Sequence, residues 1–227
     1  MNLMKSINIL LIFVVLVLPK WAIADVMDEV VQLQKRWAEV NYTLKSKEQN
    51  SAFELLITDA DKVIASYPSA AEAWIWRGII NSSFAGAKGG LGAMSFAKAA
   101  KTDFEKALTI NDSALSGSAY TSLGTLYFKV PGWPIGFGDD DKAKEMLETA
   151  LTLNPDGIDS NYFYAEFLRD QRRYKKSEQY LVKAQQAPDR PSRPLADKGR
   201  HDEIEQSLAK VRQQLSKKNS ASITDRR

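Results

Sequence analysis

The sequence contains no cysteine, which excludes disulfide bonds, thiolate metal sites and thiol nucleophiles. It contains a single histidine, His201. A catalytic histidine works together with an orienting acid and a nucleophile, and the sequence pattern around His201 indicates a solvated side chain instead. We therefore predict that the protein is not an enzyme and that it has no metal site and no cofactor.

A strong excess of one charge sign is also missing. The 227 residues include 31 Lys and Arg against 28 Asp and Glu, which gives a net charge of +3. Proteins that bind nucleic acid carry a basic field, so nucleic acid is not an expected partner. The basic residues at the end of the chain indicate a disordered tail over residues 216–227.

Two stretches with unusual composition lack the spacing of known ligand loops. The glycine-rich stretch 82–94 contains no run of the form G-x4-G-K-[ST], which a phosphate-binding loop requires. The three aspartates at residues 139–141 lack the spacing of a calcium loop. Carboxylates in such a position accept hydrogen bonds from free N–H groups, so we expect them to cap a helix.

Residues 1–24 have the organisation of a secretory signal peptide. Lys5 supplies the positive charge, residues 9–18 form an uninterrupted apolar run, and residues 22–24 read Ala-Ile-Ala. The apolar run is too short to cross a bilayer, which needs about 20 residues. We predict cleavage near Ala24, export to the periplasm and no membrane span in the mature chain.

The rest of the chain carries a pattern of helical-hairpin repeats, which is clearest from Ser118 to Pro155. Residues 120–127 have the spacing Y-x2-L-G-x2-Y, and A-x3-L follows at Ala143. These steps place large side chains on one stripe of a helix, and the small Gly124 lets a second helix approach. The pattern resembles the tetratricopeptide repeat.

Neighbouring segments repeat this register. The place of Ala150 in the clearest unit corresponds to Val63, Ala107 and Ala184 in the other units, and Ala184 follows Ala150 by 34 residues, the length of a tetratricopeptide unit. A single hairpin cannot bury its apolar face, so the units must stack. We predict an all-α, right-handed solenoid of three to four helical hairpins over residues 25–187.

The end of the chain is predicted to close this stack. A Pro-rich linker begins at residue 188, and residues 195–215 carry an apolar stripe with helical period. Solenoids need a terminal element with a polar outer face, so we interpret residues 188–215 as a linker and a capping helix.

Two insertions, residues 82–94 and 129–141, fall between the two helices of successive repeats. They must therefore emerge on the same edge of the stack. The first is either a plain extended connection or part of a cavity wall. The second contains Trp133 and Phe137, which either pack over the edge of the solenoid or form a binding wall.

The concave surface of a tetratricopeptide solenoid is formed by the first helix of each hairpin, and it is the candidate binding groove. The side chains expected to line it are Ile75, Ile79, Thr121, Thr125, Phe128, Tyr162, Glu166 and Arg169. With Trp133 and Phe137, these form the candidate binding site. Alternatively, Glu166 and Arg169 only pair with each other along one helix.

A more specific resemblance rests on three runs, residues 130–140, 154–159 and 161–164. Over about residues 70–205, the chain resembles exported bacterial tetratricopeptide proteins grouped with the TatT component of TRAP (tripartite, periplasmic) transporters. The resemblance implies a periplasmic accessory protein that associates with a solute-binding subunit and holds an apolar solute. Members of that family are often lipid-anchored, for which this chain lacks the cysteine.

The sequence therefore leaves two functions open. The first is a periplasmic scaffold that binds a protein or peptide, such as a solute-binding protein, in its concave groove. The second is an accessory component of a TRAP-type transporter that binds a small apolar ligand in a cavity walled by the insertions. An open groove lined by Phe128 and Tyr162 favours the first. An enclosed apolar cavity near Trp133 and Phe137 favours the second.

Overall fold

The computed structural model describes the backbone of residues 20–90 and 92–224 and the side chains of residues 26–90 and 92–218. Within these ranges every regular element is an α-helix. The helices are α1 (Lys20–Thr43), α2 (Ser46–Ser66), α3 (Ala71–Lys88), α4 (Ala93–Ile110), α5 (Ala114–Lys129), α6 (Asp140–Leu153), α7 (Ile158–Asp170), α8 (Tyr174–Gln185) and α9 (Pro194–Thr224). Residues 1–19 of the expected signal peptide lie outside the described residues, so its cleavage stays a prediction.

Helices α1 to α8 form four consecutive hairpins, which confirms the predicted stack. The two helices of each hairpin pack together, and each second helix also contacts the first helix of the next hairpin. The first helices α1, α3, α5 and α7 contact one another in succession and form the inner layer. The fold is thus a tetratricopeptide-like solenoid with α9 added at its end.

The predicted register is visible in the last turn of the second helices. The carbonyl oxygens of Val63, Ala107 and Ala150 accept hydrogen bonds from the backbone N–H four residues later, at 2.8, 2.9 and 2.9 Å. These residues and Ala184 are all buried. Equivalent positions of the sequence pattern therefore occupy equivalent places in the hairpins.

Close approach of the paired helices depends on glycine at two positions of the first helices. A Cβ atom on Gly124 would lie 2.8 Å from Cγ of Leu147 and 3.2 Å from the carbonyl oxygen of Ala143. A Cβ atom on Gly78 would lie 2.5 Å from the ring of Phe104. The expectation that Gly124 lets α6 pack closely on α5 is confirmed.

The first insertion is largely helical, so of the two interpretations of residues 82–94 the extended connection is wrong. Helix α3 continues to Lys88, and α4 begins at Ala93. Phe84 and Ala85 are buried and hold these turns against the core despite the low helix propensity of Gly86. Only the short link between the helices, with Gly90 at a φ of 61°, has the positive φ that glycine accommodates.

Two other expectations concern helix ends. Oδ1 of Asp139 accepts a hydrogen bond from the backbone N–H of Lys142 at 3.1 Å, which confirms the predicted cap of α6. At the end of the chain, α9 extends through residues 216–224, where the sequence suggested a disordered tail.

Alanine substitution at two helical glycines tests the close packing. Gly124→Ala and Gly86→Ala both gain about 1 kcal/mol of helix propensity. A Cβ atom on Gly86 would have no atom within 4 Å apart from its chain neighbours and its own helix backbone, whereas one on Gly124 would lie 2.8 Å from Cγ of Leu147. Because overpacking costs about 1–3 kcal/mol, we expect Gly124→Ala to be less stable than Gly86→Ala by that amount in urea denaturation. Equal stability of the two variants would contradict the close approach of α5 and α6.

Candidate ligand cavity

Helix α9 closes the solenoid into a ring. It packs on α8 and α7 and also contacts α1, the first helix of the stack. Ala196 of α9 is buried in the hydrophobic cluster formed by α1, α2 and α3. Gly199 lies against the ring of Tyr42, where a Cβ atom would be 2.4 Å from Cε1. Helix α9 therefore bridges the concave side from the last hairpin to the first.

A network of ion pairs fixes α9 and its preceding linker to α7. Asp159 of α7 accepts hydrogen bonds from Nη1 of Arg190 at 2.6 Å and from Nε of Arg200 at 2.8 Å. Arg190 also pairs with Asp197, at 2.5 Å from its Nη2 atom. Burial opposes ionisation of Asp159, but Arg200 and Arg190 outweigh it and hold the pKa of this carboxyl well below its ordinary value.

Several residues expected in an open groove are instead buried by this closure. Tyr162 is buried, and the guanidinium of Arg200 lies 4.5 Å from its ring centroid. Glu166 is also buried, accepts a hydrogen bond from the Ser207 hydroxyl of α9 and pairs with Arg169 at 2.5 Å. The ion pair between Glu166 and Arg169 corresponds to the alternative interpretation of these two residues, in which they pair along one helix.

Two further candidates belong to the core between the helices. Ile75 is fully buried in a cluster with Ala107 and Ala119. Phe128 packs edge-on against Phe167, with 5.7 Å between ring centroids. Together with Tyr162 and Glu166, these residues do not line an open groove, because packing between helices and beneath α9 covers them.

A cavity of about 1250 Å³ lies on the concave side, inside the ring. Three of the predicted residues line it: Ile79 of α3, and Thr121 and Thr125 of α5. Aromatic side chains that the prediction missed also contribute, namely Trp37, Trp76 and Phe163. The end of α3, the start of α4 and the end of α5, which adjoin the two insertions, also take part in the wall. The cavity therefore extends to the edge of the stack.

Several hydroxyl groups of the cavity wall already form hydrogen bonds within the protein. The side chains of Ser82, Ser118 and Thr125 donate to backbone carbonyls three or four residues earlier, at 2.9, 2.7 and 2.8 Å. Ser83 accepts from the indole Nε1 of Trp37 at 2.8 Å. The wall therefore offers a ligand fewer polar groups than its composition suggests.

Strained backbone forms one part of the wall. Leu115 and Ser116 have φ values of 48° and 55°, in the left-handed region that non-glycine residues rarely adopt. Both residues line the cavity. Such conformations cost about 1–3 kcal/mol each and persist where the surrounding structure requires them, often at binding sites.

The two insertions meet at the mouth of the cavity. The terminal methyl of Met94 lies 3.0 Å from the position of a Cβ on Gly136, so the insertions emerge on the same edge, as predicted. Phe137 packs against Tyr127, with 6.0 Å between ring centroids. Trp133 is 90% exposed and Ile135 is 73% exposed. Packing thus accounts for Phe137, whereas Trp133 and Ile135 project into solvent.

Within the described ranges, no group of three or more His, Asp and Glu side chains is arranged to hold a metal ion. Over the same ranges, no helix has the length and hydrophobicity needed to cross a membrane. The chemistry of the cavity is therefore set by its apolar walls and by the arginine-rich segment that precedes and begins α9.

Comparisons with known proteins agree with the fold. The family model described as tetratricopeptide repeat matches residues 135–156. A thermophilic tetratricopeptide protein of Thermus thermophilus is 14% identical with a TM-score of 0.51, over 81% of this chain and 92% of that chain. The structure of MamA is 18% identical with a TM-score of 0.42, over 77% and 95%. No curated protein matches the chain.

The chain therefore contains a tetratricopeptide repeat and has the fold of tetratricopeptide solenoids. Proteins of this class are helical-repeat scaffolds for interactions with other proteins. At these identities the likeness defines the fold alone.

Asp159→Asn tests whether the ion-pair network holds the ring closed. The substitution leaves Arg200, which is buried, without one of its carboxylate partners, and we expect a loss of about 2–4 kcal/mol near neutral pH. Because its pKa is lower in the folded than in the unfolded chain, ionised Asp159 stabilises the fold above about pH 4. This contribution is lost as the pH falls through the folded-state pKa.

The measurement is urea denaturation over a series of pH values, with Asp170→Asn as the control. Asp170 lies on the same helix, is exposed and forms no ion pair with any side chain that the structure describes. The stability difference between wild type and Asp159→Asn should shrink on acidification. A difference that stays constant down to low pH would show that Asp159 does not act through its charge.

Proposed function

We propose that this protein is a helical-repeat binding protein that encloses a small, mostly apolar ligand in the cavity on its concave side. The observation that carries the proposal is the closure of the ring by α9. A protein or peptide that binds along the whole concave groove needs that surface free, whereas α9 bridges it from α7 to α1. The remaining space has the dimensions of a ligand site.

The size and lining of the cavity support a small ligand. Ligand pockets usually have volumes of about 300–1,000 Å³ and apolar walls with a few polar groups. The cavity of about 1250 Å³ is at least that large, and Trp37, Ile79 and Phe163 contribute apolar surface to it. Exposed lining residues, including Lys129 and Ile135, mark its mouth.

The cellular setting is part of the same proposal. The signal-like residues 1–24 support export to the periplasm. The resemblance of residues 130–140, 154–159 and 161–164 to TatT-type proteins supports a role as an accessory component of a TRAP-type solute transporter. In that setting the ligand is the solute or a related molecule, and a periplasmic solute-binding protein is the expected partner.

The exposed tip of the second insertion supports a second candidate function, which is docking of a protein partner. Trp133 and Ile135 are two of the few large apolar side chains of the described residues that are mainly exposed. They project beside the mouth of the cavity, where a solute-binding protein could exchange a ligand with it. Exposed aromatic residues are enriched at protein interfaces.

Filling the cavity tests the ligand proposal. Thr125→Trp places a large side chain at the wall, and the matched control is Thr152→Trp, because Thr152 is exposed on α6 and makes the same type of hydrogen bond to a backbone carbonyl. We expect Thr125→Trp to lower the affinity for the apolar dye anilinonaphthalene sulfonate at least about tenfold, through overlap with the bound dye. Fluorescence titration of folded variants measures this. Equal dye binding by the two variants would place the site elsewhere.

Replacing both Trp133 and Ile135 by serine tests the docking surface. Exposed side chains away from special structural features change stability by less than about 0.5 kcal/mol, so the variant should fold normally. We expect it to lose partners that the wild type retains from periplasmic extract. Leu55→Ser is the control, because Leu55 is 65% exposed on α2. The docking role is wrong if the double variant retains the same proteins as this control.

A further inference from the structure

One end of the cavity carries three arginines that differ in their partners. Arg190, Arg193 and Arg200 all line the cavity. Arg190 and Arg200 both bind Asp159, and Arg190 also binds Asp197. Arg200 has a further ion pair with Glu203. The carboxylates at this end are thus bound to Arg190 and Arg200.

Arg193 differs from the other two arginines in that it forms no ion pair. Among the side chains that the structure describes, no carboxylate lies within ion-pair distance of its guanidinium, and its Nε atom is buried without a hydrogen bond. Burial and the positive charge of Arg190 lower the pKa of Arg193, and the more distant charges of Asp159 and Asp197 only partly offset them. Arg193 is partly buried, and a partly buried cation without an ion pair is unfavourable, since charges removed from water are normally paired.

A second unpartnered donor lies beside Arg193. The guanidinium carbon of Arg193 is 5.1 Å from the ring centroid of Trp76. The indole Nε1 of Trp76 is buried and has no hydrogen-bond partner within the described part of the chain. Buried polar groups are nearly always hydrogen-bonded in folded proteins, so two orphan donors on adjacent side chains of one cavity indicate a missing acceptor.

We propose that Arg193 and Trp76 form the head-group site for a ligand with one carboxylate and an apolar body. A carboxylate accepts hydrogen bonds without donating any, and its planar geometry matches the guanidinium group. The proposal rests on the proposed function, because it assigns the class of ligand that the cavity takes.

The charge balance at this end of the cavity favours a monoanion. Arg193 supplies one guanidinium that needs a counter-charge, and Asp159 and Asp197 lie close by on the other two arginines. A phosphate dianion would bring two negative charges to this single cation beside these carboxylates. The apolar part of the ligand would then lie along Trp37, Ile79 and the other apolar side chains of the wall.

Isothermal titration with decanoate and decanol tests the inference, because the two probes share an apolar chain and differ in the head group. We expect wild-type protein to bind decanoate more tightly than decanol. Arg193→Gln should weaken decanoate binding by about tenfold to a hundredfold, the usual contribution of a charge-assisted hydrogen bond. Its affinity for decanol should be unchanged.

Arg212→Gln is the matched control, because Arg212 lies on the same helix and pairs at the surface with Glu178. This variant should bind decanoate like the wild type. Without ligand, Arg193→Gln should melt at a higher temperature than the wild type, since it removes a partly buried charge that has no ion pair. Decanoate should then raise the melting temperature of the wild type more than that of the variant.

The outcomes separate this inference from the proposed function. If decanoate and decanol bind the wild type equally, or if Arg193→Gln leaves decanoate binding intact, the proposed carboxylate site is wrong. The proposed function, binding of an apolar ligand in the cavity, is not contradicted by that result. If neither probe binds the wild type, the inference and the ligand-binding function are both wrong.

Discussion

The contact of α9 with α1 decides whether the concave side of this solenoid is a groove or a cavity. Stacked hairpins bury their apolar faces whether or not the two ends of the stack meet. Here Ala196 joins the hydrophobic cluster of the first three helices, while Ile204 and Leu208 join the cluster of the last hairpin. One helix therefore links both ends, and the space inside becomes a cavity with an open mouth.

The charged network gives this closure its geometry. Apolar contacts tolerate a range of helix orientations, whereas Asp159 must meet Arg190 and Arg200 at fixed hydrogen-bond positions. Buried ion pairs contribute little net stability against apolar alternatives, because desolvation offsets much of their attraction. Their effect here is to select one orientation of α9 over α7, which also places Gly199 on the ring of Tyr42.

The sequence predicted those parts of the fold that depend on local spacing. The hairpin register around Ala107 and Ala150, the close packing at Gly124 and the cap at Asp139 involve residues within one or two repeats. The first insertion was misassigned because burial of Phe84 and Ala85 overrides the weak helix propensity of nearby glycines.

The cavity could not be predicted in the same way. It depends on contacts between residues far apart in the sequence, such as Trp76 with Arg193 and Tyr42 with Gly199. A helical period shows which side of a helix is apolar, but not which distant helix covers it. Ile79, Thr121 and Thr125 were found because the inner face of the first helices follows from the repeat itself. Tyr162 and Glu166 lie on the same inner layer but are covered by α9.

The position of Arg193 links the cavity to the closure of the ring. Arg193 immediately precedes α9, and its charge repels Arg190 and Arg200, the two residues that bind Asp159. An anion bound at Arg193 would relieve this repulsion and would thereby favour the closed position of α9. By linkage, the closed ring then binds the anion more tightly than an open one would. If Arg193 binds a carboxylate as proposed, occupancy of the cavity and closure of the ring would favour each other.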